Sequence, residues 1–209
     1  MKLICASDIH GWLFDVPQGD MLILSGDIVP LNVQSNDTSS FFWFKDKFIP
    51  WVLSAPVCHV VFIGGNHDFY LQNKGWRFNN EKLHYLCASS TTIDGVKFYG
   101  WPYIKHMVRW AFSDLQINYE DMESADVLIS HDTPRIINGT FSERDVVRYR
   151  TAPGNAELAN QMHKYKYCLC GHWHEGNHAL TAHDGCGIYN TSLLNDRYEP
   201  VNNPLILEI

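Results

Sequence analysis

The sequence predicts an α/β protein, a sandwich of two sheets covered by helices, and three observations carry that prediction. Five continuous apolar runs, Leu3–Ala6, Leu22–Leu24, Val60–Ile63, Val127–Ile129 and Tyr167–Cys170, each stop at turn-forming residues. Such runs read as short strands buried on both faces. Strands alternate with helical stretches through roughly the first two-thirds of the chain, and the tail returns to strand character at Gly187–Asn190 and Leu205–Glu208. With 209 residues and 45% apolar content, the chain suits one domain, residues 1–209, with a sizeable core, and disorder is excluded.

Between the runs, residues 37–54 read as a helix. Asp37, Thr38 and Ser39 offer caps, and Phe41, Phe44, Phe48 and Trp51 recur near helical spacing. Pro50 is expected to kink this helix or end it early. Ile93-Asp94-Gly95-Val96 reads as a hairpin turn, because Asp-Gly suits the positive φ of a type I′ turn. Residues 132–154 are the least regular stretch and are expected to form a long loop. Asn155–Tyr165 reads as a helix capped by Asn155.

The formal net charge of -7 argues against a large electrostatic footprint on nucleic acid, and no stable nucleic-acid complex is expected. It leaves small phosphate esters open, since bound divalent metals reverse the local field. The first apolar run is short and leads straight into Asp8 and His10, so the amino terminus does not read as a secretory signal. No stretch approaches the length of a membrane span. Six cysteines occur without a CxxC pair, and Cys168 and Cys170 share one strand face as small hydrophobes. A reduced, cytoplasmic setting is the expectation. The sequons at Asn138 and Asn190 then carry no meaning.

The chemistry sits where the runs end. The clusters are Asp8-Ile9-His10, Gly26-Asp27, Gly65-Asn66-His67-Asp68, His131-Asp132 and Gly171-His172-Trp173-His174. Ligands of such sheets gather beyond the carboxyl ends of the strands, so five distant stretches can converge on one place. Mixed oxygen and imidazole donors in this number suit two divalent metals about 3.5–4 Å apart, which clamp phosphoryl oxygens and activate a bridging hydroxide. Asp27 is the natural bridge, because a carboxylate can offer one oxygen to each ion. Asp8, His10 and His174 can complete one ion, and Asn66, His131 and His172 the other. A donor set without thiolate suits Mn, Fe, Zn or Ni. Gly26, Gly65 and Gly171 fit sharp turns at the strand ends. His67 is assigned a catalytic role, protonating the leaving oxygen or stabilising phosphoryl charge. Asp68 is assigned the role of holding the His67 imidazole and raising its pKa.

This ordered set, Asp8-x-His10, Gly26-Asp27, Gly65-Asn66-His67-Asp68, His131 and Gly171-His172-x-His174, resembles the calcineurin-like metallophosphoesterases. The resemblance implies a four-layer α/β/β/α sandwich with a dinuclear metal centre at the strand ends, and the same ligand roles position by position. The segments Gly19–Asp27, Lys97–Pro102, Trp110–Phe112 and Gly171–Gly176 look more narrowly like the small MPPED-type branch, which includes cyclic-nucleotide phosphodiesterases of modest activity. The chain departs from that branch at Asp132-Thr133-Pro134, which replaces the usual Gly-Pro-Pro, and from Phe141 to Pro153. Both departures lie where substrate choice is set.

The function expected is that of a metal-dependent phosphodiesterase acting on a small nucleotide or cyclic nucleotide. The rivals are a phosphomonoesterase, including a protein phosphatase, a nuclease, and a scaffold that keeps the fold without catalysis. Arg144, Arg148 and Arg150 are read as a solvated charged loop rather than a phosphate clamp. Trp12, Trp101 and Trp173 are read as packing residues, with Trp173 pointing away from the metals. His59, His84 and His106 are read as surface or packing residues.

Overall fold

Each of the five apolar runs forms a strand in the computed structural model, which describes residues 1–105, 107–113, 116–135, 154–176 and 178–209. The first sheet holds β1 (Lys2–Ala6), β2 (Met21–Leu24), β3 (His59–Phe62), β4 (Leu83–Tyr85) and β11 (Leu205–Glu208) in the order β11-β1-β2-β3-β4. Strands β1 to β4 run parallel, and β11 closes the edge antiparallel to β1. The second sheet holds β5 (Ser89–Ile93), β6 (Val96–Trp101), β7 (Val127–Ser130), β8 (Tyr167–Cys170), β9 (Thr181–His183) and β10 (Cys186–Asn190) in the order β5-β6-β7-β8-β10-β9. Its four inner strands are parallel, with β5 and β9 antiparallel at the edges.

Alternation along the strands sorts the core into three zones. Leu3, Cys5, Met21, Ile23 and Val61 of the first sheet meet Phe98, Val127, Ile129 and Leu169 of the second. The opposite face of the first sheet, Ile4, Leu22, Leu24 and Phe62, buries Phe44, Phe48 and Val52 from the helical stretch. The outer face of the second sheet, Tyr99, Leu128, Cys168, Cys170 and Ile188, buries Leu158, Met162 and Tyr165. The result is the expected α/β/β/α layering. Each fully buried side chain of this kind contributes roughly 1.5–3 kcal/mol.

The helical stretch begins one residue before its expected cap, because Asn36 accepts the Ser39 amide at 2.9 Å. It continues through Pro50 instead of stopping there. Helix α1 (Asp37–Trp43) passes into a π turn at Phe44–Phe48 and then into α2 (Ile49–Ser54). The Ile49 amide reaches back five residues to Phe44, and this widening makes room for a proline ring at the first turn of α2. A third helix, α3 (Phe69–Lys74), follows the Asn66-His67-Asp68 turn. Asn155 caps α4 as expected, but α4 (Ala156–Ala159) is short and gives way to a 3-10 turn at Met162–Lys164. Asp94 and Gly95 both adopt the positive φ required of the hairpin turn.

All six cysteines are free thiols, and Cys168 and Cys170 are fully buried. Asn190 is buried within β10 with its amide bonded to the Trp173 carbonyl, so that sequon is closed to modification; Asn138 lies outside the described residues. No helix among the described residues is long and apolar enough to cross a membrane.

Candidate metal centre

The two sheets are tied together at their carboxyl ends. Ser7 donates its amide to Thr191, and Ser25, just after β2, donates its hydroxyl to Leu169 in β8. The loops leaving β1 and β2 are also paired, with the Asp8 amide on the Gly26 carbonyl and the His10 amide on the Asp27 carbonyl. These ties bring the five turns into one cluster. Its chain path turns sharply, with positive φ at Asp8, His10, Asp27 and His172. Non-glycine residues persist in that region only where the surroundings hold them, as they do at functional sites.

Two groups of donors form around Asp27. On one side, Asp27 Oδ2 lies 3.7 Å from His10 Nε2, which is 3.4 Å from His174 Nε2, and His174 Nε2 is 3.4 Å from Asp8 Oδ1. On the other, Asp27 Oδ1 lies 3.3 Å from His131 Nε2, while Asn66 Oδ1 is 2.8 Å from His131 Nε2 and 2.9 Å from His172 Nδ1. All seven residues expected as ligands are therefore in one place, and the groups they form overlap: Asp8 joins His10 and His174 but also Asp27 and His131, and His67 joins His10 and Asp27, each with donor atoms within 4.8 Å of one another. A Cβ on Gly171 would stand 2.5 Å from Asp8 Oδ2, and one on Gly65 would stand 2.4 Å from Asp27 Oδ1. Glycine at both turns is what lets the carboxylates approach.

The donor chemistry fits a cation. His174 Nδ1 donates to the Asn195 carbonyl and His131 Nδ1 to the Ser25 carbonyl. In a neutral ring the remaining nitrogen is then a lone pair. Those lone pairs face the carboxylates of Asp8 and Asp27, so acceptor meets acceptor twice unless a positive charge sits between. In the absence of an ion, a proton does this work. Burial works against charge on both rings, but Asp27 outweighs it at His131, whose pKa is pushed up to about 10. At His174 the hydrogen bond to Asp8, with that carboxylate's charge, overcomes burial and raises the value to about 9. Burial would raise the carboxylates too, yet the imidazoles around them hold Asp8 and Asp27 well below the usual range. His10 goes the other way, because burial outweighs both carboxylates and lowers it to about 4.

Second partners orient the ligands, as they do in metal sites generally. Asp8 Oδ2 accepts the Ser192 hydroxyl at 2.7 Å and the His172 amide at 3.0 Å. The His67 amide donates to Asp27 Oδ1 at 2.8 Å. The Ala111 amide donates to the Asn66 carbonyl, which anchors the Trp110–Phe112 segment beside the cluster.

The role expected of Asp68 is corrected. Its carboxylate does not hold His67 but lies beneath the turn, accepting the amides of Ile28, Val29 and Gly65. Burial and the charge of Asp27 raise its pKa to about 7 against those amides. The ring of His67 is held instead by Gln34, whose side-chain carbonyl is bonded to His67 Nδ1. The pKa of His67 is lowered by burial despite the nearby Asp27, not raised. Its Nε2 lies 3.8 Å from Asp27 Oδ2, and the Trp110 ring covers it at 4.6 Å.

Two cavities adjoin the cluster. One of about 250 Å³ is lined by Asp27, Asn66, His67, Trp110 and Tyr198 among others. The second, of about 440 Å³, shares Met107, His172, His174 and Asp196 with it and extends to Lys105, Asp132, Asn155 and Trp173. Trp173 thus lines the site, because the turn after Gly171 is not a strand and side chains there do not alternate. Trp12 and Trp101 pack in the core as expected. His59 and His84 are half-buried and face each other, with Nδ1 of the first 3.2 Å from Nε2 of the second. Arg144, Arg148, Arg150 and His106 lie outside the described residues, as does most of the expected 132–154 loop. Gln34, Ser192, Asn195 and Tyr198 escaped the sequence reading, since none stands in a motif. The Tyr198 ring sits 4.9 Å from His10 and 5.4 Å from His174.

Comparison with known proteins agrees with this geometry. Metallophosphoesterase domain-containing protein 1 of human and of mouse is in each case 26% identical over 245 residues, covering 100% of this chain and 71% of the relative. A UPF0046 protein of Caenorhabditis elegans is 27% identical over 240 residues, covering 100% of this chain and 81% of its own length. The crystal structure of phosphopantetheinyl hydrolase from Mycobacterium tuberculosis superposes with a TM-score of 0.52 at 12% identity, covering 94% of this chain and 90% of the other, a likeness of fold alone. The calcineurin-like phosphoesterase family model matches residues 1–176, and the chain belongs to that family, whose members are metal-dependent phosphoester hydrolases.

Proposed function

We propose that this protein is a phosphodiesterase using two divalent ions, drawn from Mn, Fe, Zn or Ni, and acting on small nucleotide or cyclic-nucleotide diesters. The observation that carries the reading is the donor cluster opening on two small cavities in which Trp110 and Trp173 offer aromatic faces to a nucleobase. Lys105, at the edge of the larger cavity, pairs its ammonium with Glu157. The acidic balance of the chain sets it against a nuclease.

Divalent ions bound here supply Lewis-acid polarisation of the phosphoryl oxygens and acidify water. The protein's own contribution is orientation and proton transfer. Ser192 and the His172 amide fix the Asp8 carboxylate, and Asn195 and Ser25 fix the tautomers of His174 and His131. His67 Nε2 faces the reacting side and, when the ring is protonated there, can deliver a proton to the leaving oxygen as its bond to phosphorus breaks.

Parallel assays with bis-p-nitrophenyl phosphate and p-nitrophenyl phosphate, followed by a panel of cyclic and linear nucleotides with each metal added in turn, test the reading. Faster turnover of diesters is the expected result. A preference for monoesters would replace it with the phosphomonoesterase reading.

A further inference from the structure

The His67 ring is held at three points. Gln34, half-buried in the loop that leaves Asp27, bonds to Nδ1. Trp110 covers one side, and the His10 ring stands edge-on at 4.7 Å and 89°. The acid next to His67 in sequence is fully committed to backbone amides. We infer that Gln34 is the positioning residue for His67, fixing the ring through Nδ1 so that Nε2 faces the leaving group. This rests on the phosphodiesterase reading above.

An amide suits this place better than a carboxylate. A ring nitrogen bonded to the Gln34 carbonyl must carry a proton, so the other nitrogen becomes the one that gives or takes a proton at the reaction centre. The amide does this without adding charge to a pocket that already buries Asp8, Asp27 and Asp68. In the step itself, hydroxide oxygen forms the new bond to phosphorus. The electron pair of the old phosphorus–oxygen bond goes to the leaving oxygen. Where the ring carries a second proton, on Nε2, that proton moves to the leaving oxygen, and the ring is left neutral with Nδ1–H still on Gln34.

The test combines rates with a direct view of the ring. Gln34→Ala is expected to lower turnover of an alkyl or ribose diester about 10–100-fold, the usual cost of losing a supporting partner. It should have much less effect on a nitrophenyl diester, whose leaving group scarcely needs a proton. Gln34→Glu, which keeps the acceptor, should restore most of the loss. The double variant Gln34→Ala/His67→Ala should be no slower than His67→Ala alone, since the two residues act as a unit. Nitrogen-15 NMR of the His67 ring, assigned by its absence in His67→Ala, should show Nδ1–H in the native chain and a changed ring in Gln34→Ala. A bare Nδ1 in the native protein, a ring unchanged by Gln34→Ala, or additive losses in the double variant would each overturn the assignment. A ring that responds to Gln34 in a chain that cleaves no diester would instead sink the phosphodiesterase reading while leaving the positioning role standing.

Discussion

Asp27 turns its two carboxylate oxygens toward different histidines, with Oδ2 3.7 Å from His10 Nε2 and Oδ1 3.3 Å from His131 Nε2. Asp27 belongs to two groups of donors whose atoms lie within 4.8 Å of one another, one with His10 and His67 and one with Asp8 and His131. Asp27→Ala should therefore lower metal content at both positions and reduce turnover by more than the ~10–100-fold typical of losing an outer partner. Elemental analysis of the purified variant beside a diester assay checks this. Full two-ion occupancy with normal activity would rule out a bridging Asp27.

Ser192 supports Asp8. Its hydroxyl bonds Asp8 Oδ2 at 2.7 Å and leaves Oδ1 facing His174. Ser192→Ala should weaken metal binding on the Asp8 side by roughly 10–100-fold, with turnover recovered at saturating metal. A metal titration followed by activity reads both quantities. An activity loss that no metal concentration recovers would mean that Ser192 does something other than orient Asp8.

Stripping the metal should make stability depend on alkaline pH. An unperturbed histidine titrates near 6.5, whereas the folded metal-free chain holds His174 to about 9 and His131 to about 10. Their folded values are raised, so the stability they contribute is complete below about pH 6.5 and is lost as pH rises through 9 to 10. Buried thiols and phenols add an alkaline loss common to both forms, because burial raises them whether or not an ion is bound. The difference between the metal-free and metal-loaded curves isolates the histidines. Thermal melts of chelator-treated and reloaded protein from pH 6.5 to 10 should diverge as pH rises. Parallel curves would show that these rings do not carry protons in place of the ion.

The convergence of the seven candidate ligands was legible in the sequence because each stands at the end of an apolar run, and a buried parallel strand delivers whatever follows it to the same edge. The layering was legible for the same reason. What alternation could not supply is contact made through turns. Gln34 lies seven residues beyond Asp27 in a loop and reaches His67 only because that loop folds back. Asp68 stands beside His67 in sequence, but the tight turn sends its carboxylate inward to three amides. Trp173 was misplaced by applying strand alternation where His172 has φ 70. Pro50 was expected to kink the helix or end it early; the helical stretch does not end there, and spacing does not reveal the π turn that precedes it.

The remaining prediction separates proton donation from metal binding. His67 follows the candidate ligand Asn66 directly, and its Nε2 lies 3.8 Å from Asp27 Oδ2. Its ring is fixed by Gln34 and Trp110 rather than by a carboxylate. It lies within 4.8 Å of the His10 and Asp27 donor atoms, so a ligand role and a proton-donor role are the two outcomes to separate. His67→Ala should cost roughly 10²–10⁴ in rate on an alkyl or ribose diester, where the departing oxygen needs a proton. On a nitrophenyl diester the loss should be much smaller, and metal content should stay near the native level, unlike that of Asp27→Ala. A plot of rate against leaving-group pKa should be steeper for the variant than for the native chain. Equal losses on both ester types would assign His67 to charge stabilisation instead, and loss of metal would make it a ligand.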